Sequence, residues 1–343
     1  MKHVAIVGYG LIGRLLAVEL AKAKLKISIY DPCLSGEASA AWIAAGMICP
    51  QAEIDAPQEI LHWGADSLAS WQTLAKTIGS DHWLRANGSL VTAHPSEQYR
   101  LQDFCHHLTH KSNRINNFTE CKLKDIEKQL PNQAALFFEN EGVVNGRALF
   151  AAIDNYLRHS QKVNFYQQTI RNLTPKQITN KEGQTLNYDW VYDCRGIKAK
   201  DIVDNLRGVR GEIITVHAPE VEIQLPIRLL HPRYPLYVVP RDNHHYVIGA
   251  SEIETEILQP ISVRSTLELL TAAFSLHPGF AEAVIIETNV GLRPTTTDHL
   301  PYIKSQNGLT IINGLYRHGF LLAPYVVQQA LNQKKLHENN YEN

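Results

Sequence analysis

No window of the 343 residues approaches eighteen uninterrupted apolar positions, so a membrane-spanning helix is not expected. Neither sign of charge is in excess: 33 Lys and Arg face 34 Asp and Glu, without a long basic run to follow a nucleic-acid backbone. A small-molecule partner is expected instead. Cysteine is sparse, with Cys33, Cys49, Cys105, Cys121 and Cys194 irregularly spaced, odd in number and without a C-x-x-C pair. They read as free thiols in a reducing cytoplasm. No metal site is expected: His106 and His110 lie one helical turn apart beside Cys105 and His107, but no carboxylate or second cluster joins them at ligand spacing. These and His244-His245 read as solvated surface. The first residues lack a charged stretch followed by an unbroken apolar one, and a glycine turn interrupts them, so they read as structure rather than a signal peptide.

What is present starts at that turn. At 44% hydrophobic content the chain can bury a large core, and its length fits two domains. Val4 to Val7, then Gly8-Tyr-Gly10-Leu-Ile-Gly13, then Arg14 to Lys24 at helical spacing, then Lys26 to Asp31, read as strand, tight turn, helix and strand. Gly8 permits the turn, Gly10 lets the backbone approach a pyrophosphate, and Gly13 lets the helix pack on the sheet. No acid precedes Glu19 to oppose a phosphate at the helix N-terminus, and Asp31 can accept from ribose hydroxyls. The motif implies an ADP-containing cofactor and leaves FAD and NAD open.

The following segment, GEASAAWIAAGMICPQAE from Gly36 to Glu53, suits close passage of backbone over a flat ligand; by composition it equally suits an Ala-rich helix start. Pro57 to Ile78 reads as one packing helix closed by Gly79, Asn87-Gly88 as a turn into a strand, and Glu97 to Leu108 as a helix. Ala134 to Val144 has strand character, Gly146 to His159 reads as a helix, Val163 to Tyr166 as a strand and Leu173 to Asn187 as a hairpin. Trp190 to Gly196 reads as a buried strand ending in glycine. Strands near Leu206–Val216, Leu236–Val239, His245–Ile248 and Ala283–Asn289, with a helix over Val263–Phe274, suggest an antiparallel sheet.

Two C-terminal stretches carry the most specific signal after the turn. Gly291-Leu-Arg293-Pro294, running on to Asp298-His-Leu-Pro301-Tyr-Ile303, and Arg317-His318-Gly319-Phe-Leu-Leu-Ala-Pro324 closely resemble the signature of glycine oxidases in the D-amino-acid-oxidase superfamily. Ser39 to Met47 resembles that family's flavin-contacting segment, and Trp190 to Gly196 its third nucleotide-facing strand. The resemblance covers nearly the whole chain.

It implies an α/β fold: a Rossmann-like FAD-binding domain of the glutathione-reductase type, with an inserted α+β substrate domain on a mostly antiparallel sheet. The expected cofactor domain is discontinuous, over 1–80, 142–212 and 290–343, and the substrate domain takes 81–141 and 213–289. Noncovalent FAD is implied, since no cysteine follows Cys194 to anchor the flavin. Its contacts are placed at Gly8, Gly10, Leu11, Ile12, Gly13 and Asp31, at Ala45, Gly46 and Met47, at Ile170, and at Arg317, His318, Gly319, Phe320 and Leu321.

Arg293 matches the family arginine that binds the substrate carboxylate, a task suited to a planar guanidinium. Tyr237 matches an assisting tyrosine, and Arg317 is placed with them as catalytic. As residues alone, Arg293 equally suits an ion pair within the sheet and Tyr237 a packed ring. The implied activity is oxidation of glycine, sarcosine or small D-amino acids by hydride transfer, with O₂ as acceptor, in a cytoplasmic homo-oligomer serving thiamine synthesis. A quinone-linked D-amino-acid dehydrogenase and a flavin-binding sensor are the alternatives. Two positions depart from the family: Glu252 stands for an apolar methionine and His318 for asparagine. If Glu252 faces the pocket it favours a charged or larger amine; if it faces solvent, preference is untouched.

Overall fold

The computed structural model describes residues 2–53, 56–111, 118–230 and 236–339. The opening unit forms as its periodicity requires: strand His3–Val7, helix Leu11–Lys22, strand Lys26–Tyr30. Leu15, Leu16 and Val18 of the helix pack with Ile6 and Ile29 of the strands in one buried cluster. Six strands make the cofactor-side sheet, in the order 302–306, 309–313, 190–193, 3–7, 26–30 and 163–166. All neighbours are parallel except the antiparallel edge pair Tyr302–Gln306 and Leu309–Asn313. Chain segments far apart in sequence therefore lie side by side. Helix Gly319–Asn339 closes this layer, burying Leu322, Val326 and Ala330 in the same cluster.

The second sheet has eight strands, in the order 284–295, 207–217, 245–249, 236–240, 227–230, 89–93, 134–138 and 119–122. Its pairs are antiparallel apart from Ile227–Leu230 beside Ser89–Ala93. Helix Val263–Leu276 covers it through Leu269, Ala273 and Leu276, capped by Ser262, which accepts from the Ser265 amide at 3.1 Å. The fold is a Rossmann-like cofactor layer with an inserted sheet domain, as the resemblance implied.

Three local readings are corrected. The helix expected over 57–78 is two, Gln58–Gly64 and Ser67–Ile78. Gly64 lies against Leu321, where a Cβ would come within 2.8 Å of the leucine side chain, and Asp66, at φ −96 and ψ 13, leaves helical geometry between the two. Ala134–Phe138 and Gly142–Val144 are separate strands in different sheets, and the hairpin near 173–187 is a three-stranded meander. The sequence reading also missed Ile227–Leu230, Tyr302–Gln306 and Leu309–Asn313. Leu309–Asn313 is buried throughout, and a short buried run carries no alternation to betray it.

Candidate active site

The glycine turn divides its labour by space. Gly8 has φ +97, and a Cβ there would lie 2.4 Å from the Cys194 carbonyl oxygen; one on Gly13 would lie 2.0 Å from that of Gly8. Gly10 caps the helix, and a Cβ there would find its nearest neighbour, Ser39 Cβ, only at 3.4 Å. Its outer face is therefore open, with the helix amides behind it. Leu11 and Gly13 are buried, Ile12 less so. Asp31 accepts from the amides of Tyr9 and Cys33, both at 2.7 Å, and a carboxylate has further acceptor positions beyond these two. Ile170 is buried with Val7 and Tyr30 beside the turn's strands.

Arg14, absent from the sequence-derived site, braces this turn. It is fully buried between the rings of Tyr9 and Phe150, 4.0 Å from each centroid. Its guanidinium donates to the carbonyls of Leu34 at 2.8 Å and Ser35 at 3.2 Å, and to Asp154 at 3.1 Å. The loop after Asp31 is thereby tied to the helix that follows the glycine turn.

The Ser39–Met47 segment resolves into a short helix, Ala40–Ile43, and a flat stretch fixed from two sides. Gly46 adopts φ +77, its carbonyl accepts from the Val144 amide at 2.8 Å, and a Cβ there would lie 1.8 Å from the Val144 oxygen. On the other side Arg241 donates to the Ala45 carbonyl at 2.6 Å. Burial lowers the Arg241 pKa to about 10. Met47 pairs with Val143 in a small sheet. Gly46→Ala is expected to destabilise the protein by at least about 2 kcal/mol and to release FAD. Bound flavin per chain and the thermal midpoint check this; a variant that keeps both shows that the segment can shift.

Arg293 and Tyr237 stand on the eight-stranded sheet above two glycines. A Cβ on Gly211 would lie 2.5 Å from the Arg293 guanidinium, and one on Gly249 would lie 2.8 Å from the Tyr237 hydroxyl. Small residues in the neighbouring strands thus clear a floor for both side chains. Arg293 donates to the carbonyls of Ser251 at 3.1 Å and Arg210 at 3.4 Å, and has no carboxylate partner among the described residues. The ion pair within the sheet that residue type alone allowed is not formed. Burial raises the Tyr237 phenol, against the pull of Arg293 and Arg241.

Arg317 is placed differently. It meets Glu53 at 2.8 Å and lies 3.7 Å from Glu252, whose carboxylate also accepts from the Tyr316 hydroxyl. Burial and that carboxylate push the Tyr316 phenol well above its usual range. Glu252 is turned towards Tyr316 and Arg317 at the margin of the site, with its side chain 40% exposed.

Glu53, which no motif marked, organises the interior side. It pairs with Arg317, with Arg228 at 3.3 Å and with His318 Nε2 at 3.1 Å. Burial works to raise its pKa, but Arg228, His318 and Arg317 together hold it well below the usual carboxylate range. Helix Gly319–Asn339 starts beside it, and a Cβ on Gly319 would meet nothing within 4 Å. Phe320 and Leu321 turn their side chains into the core, and the Phe320 carbonyl accepts from Trp71 at 2.9 Å. What they present to the site is backbone.

Below this cluster Glu141 is fully buried, accepting from Ser89 and, at 2.9 Å, from the Gln51 amide. Burial pushes its carboxyl up to about 7, against those hydrogen bonds. With a raised folded pKa, its contribution to stability is full below about pH 4.3 and is lost as pH rises through about 7, on the order of 3 kcal/mol in all. Glu141→Gln is expected to gain stability relative to the native chain between pH 5 and 8. Denaturant midpoints across that range test this, and a pH-independent difference would remove the assignment.

His106 and His107 are exposed, as expected of a solvated face; the side chain of His110 lies outside the described residues. No helix among the described residues is long and apolar enough to cross a membrane.

FAD suits what this geometry leaves unfilled. Gln51 Oε1, Arg228 Nε and His318 Nδ1 are buried without partners among the described residues, the last two on side chains that pair with Glu53, while Gly10 and Gly319 leave open backbone at two helix N-termini. The class these features define is an FAD-dependent oxidoreductase. Residues 3–329 match the family described as FAD dependent oxidoreductase (DAO), and the chain belongs to it. Among curated proteins it is 32% identical to a Rhizobium etli oxidoreductase, ThiO, named for thiamine biosynthesis, over 94% of this chain and 93% of that one. The crystal structure of glycine oxidase from Geobacillus kaustophilus matches with a TM-score of 0.84 at 24% identity, covering 98% of this chain and 95% of the other. Iminodiacetate oxidase from Chelativorans sp. BNC1 matches with a TM-score of 0.82 at 23% identity, over 95% and 94%.

Proposed function

We propose that the protein oxidises a small amino acid, glycine foremost, to its imine, with O₂ as the electron acceptor. The observation that carries this is Arg293: a guanidinium on a glycine-cleared floor, held by two backbone carbonyls and by no carboxylate among the described residues. Its planar donors suit the carboxylate of a substrate, and Tyr237 adds a hydroxyl beside them. Arg317 is engaged with Glu53 and Glu252, so its role in this reading is to fix the far wall of the site.

Bound FAD would supply the two-electron chemistry, a hydride acceptor for the substrate carbon that O₂ reoxidises with release of hydrogen peroxide. The chain's own part is orientation. Gly8, Gly10, Leu11, Ile12, Gly13, Asp31 and Ile170 would hold the ADP half. Ala45 to Met47, with the backbone at Arg317 to Leu321, would flank the reactive half. An amine bound neutral needs no acid–base pair, so alignment of its carbon by Arg293 and Tyr237 does the work. Water then releases the 2-oxo acid and ammonia.

The Rhizobium etli relative supports a place in thiamine synthesis, where the imine would feed thiazole assembly. In this reading the protein works in the cytoplasm as a homo-oligomer, with cofactor segments 1–80, 142–212 and 290–343 and substrate segments 81–141 and 213–289. The test is peroxide release by the FAD-loaded protein with glycine, sarcosine, iminodiacetate, D-alanine and D-proline. Silence on all five would overturn the oxidase reading. Fast reduction of an artificial acceptor with slow reoxidation in air would make it a dehydrogenase.

A further inference from the structure

The glycine-cleared floor beneath Arg293 and Tyr237 has a third side. Sheet register places Asn289, Ile213, Gly249 and Tyr237 in one row across four neighbouring strands. Gly211 lies two residues from Ile213, hence on the same face, and the Arg293 guanidinium covers it. Asn289, Tyr237 and Arg293 therefore stand around one patch of floor, made of Gly211, Ile213 and Gly249.

The direction of the Asn289 side chain follows from its strand, Val284–Thr295, where alternate residues share a face. Glu287 meets Thr215 Oγ1 at 3.5 Å and Arg147 at 2.6 Å, a Cβ on Gly291 would lie 2.4 Å from Ile43, and Arg293 crosses Gly211. Asn289 lies between them on that face. It is partly buried, its Nδ2 is shielded from solvent, and this donor has no hydrogen-bond partner among the described residues. A folded protein rarely leaves such a donor unmet, so its acceptor comes from outside the chain.

The spacing says how far that acceptor stands from the first. Gly211 pairs with Gly291, so Asn289 is its diagonal neighbour, about 7–8 Å away. Two hydrogen bonds of about 2.9 Å, one from the guanidinium above Gly211 and one from the amide, leave a gap that one or two carbons fill. We infer that Asn289 is a specificity residue: it donates to a second acceptor oxygen, a hydroxyl or carboxylate one carbon beyond the α-carbon, on a substrate whose α-carboxylate Arg293 holds, a role that rests on the amino-acid oxidase reading above. Glycine engages Arg293 and leaves the amide unmet; a serine-like or aspartate-like substrate meets both. The nearest acid on the strand, Glu287, is paired with Arg147, so it does not repel a negative acceptor.

The test is binding of three carboxylates without an amine to the FAD-loaded chain, read from flavin absorbance: butyrate, 3-hydroxypropionate and malonate. The second and third carry the extra oxygen as a hydroxyl and as a carboxylate. At least one of them should bind about 5- to 10-fold tighter than butyrate, which tells the two acceptors apart. Asn289→Leu should remove that advantage and leave butyrate binding within about twofold; Asn289→Asp, which only accepts at neutral pH, should weaken the favoured ligand further. A native chain without preference over butyrate, a preference that survives Asn289→Leu, or tighter binding by Asn289→Asp would overturn the inference. So would loss of flavin from Asn289→Leu, which would assign the amide to the cofactor. Arg293→Ala separates the two levels: butyrate binding unchanged in that variant removes the carboxylate site itself, whereas butyrate binding that depends on Arg293 while the added oxygen gains nothing removes only the role of Asn289.

Discussion

Arg293→Ala is expected to lower kcat/KM for glycine about a thousandfold, roughly 4 kcal/mol of lost stabilisation, with the bound-flavin spectrum unchanged. The side chain touches two carbonyls and the glycine floor, so its loss removes little that supports the fold, and in the proposed reading it removes the group that holds the substrate carboxylate. Arg293→Lys should recover only part of the activity, because a point charge replaces two parallel donors. Steady-state kinetics on both variants decide the matter. Native kinetics in Arg293→Ala would take the residue out of the site, and loss of flavin would make it structural.

Glu53→Ala should destabilise the protein by about 3 kcal/mol, the cost of leaving Arg228, Arg317 and His318 without the half-buried carboxylate they share. Arg228, Arg317 and His318 would face one another across a cavity. The sign with pH is opposite to that of Glu141. The folded pKa of Glu53 is depressed, so its contribution is full above about pH 4.3 and is lost only as pH falls through the lowered value. The gap between native and variant stability should therefore be flat from pH 6 to 8 and shrink in acid. Urea unfolding across that range measures it; a gap that widened in acid would refute the charge assignment.

The turn at Gly8–Gly13 and the candidates Arg293 and Tyr237 could be picked out because each lies in a compact string of residues whose chemistry is local. Glu53 was not. Its partners Arg228 and His318 come from 175 and 265 positions away, and nothing in the neighbourhood of any one of them announces the others. Arg14 was hidden for a related reason: an arginine in a helix reads as solvent-facing until Tyr9, Phe150 and Asp154 are seen around it. Arg241 directly follows strand Leu236–Pro240, yet its acceptor, the Ala45 carbonyl, is 196 positions back. The surroundings of Glu252 match neither of the two alternatives drawn for it, pocket or solvent, in full. Glu252 is partly exposed and yet committed to Tyr316 and Arg317, so its charge belongs to the wall of the site.

The interleaved strand order has a consequence for how the chain is made. Trp190–Asp193 needs Leu309–Asn313 beside it, and the glycine turn rests on Cys194. During synthesis the first two hundred residues leave the ribosome with one flank of their central sheet uncovered, and that flank stays open until residue 313 has been added. The layer that carries the glycine turn is thus completed only near the end of synthesis, and a chain cut short before residue 309 lacks two strands of that sheet.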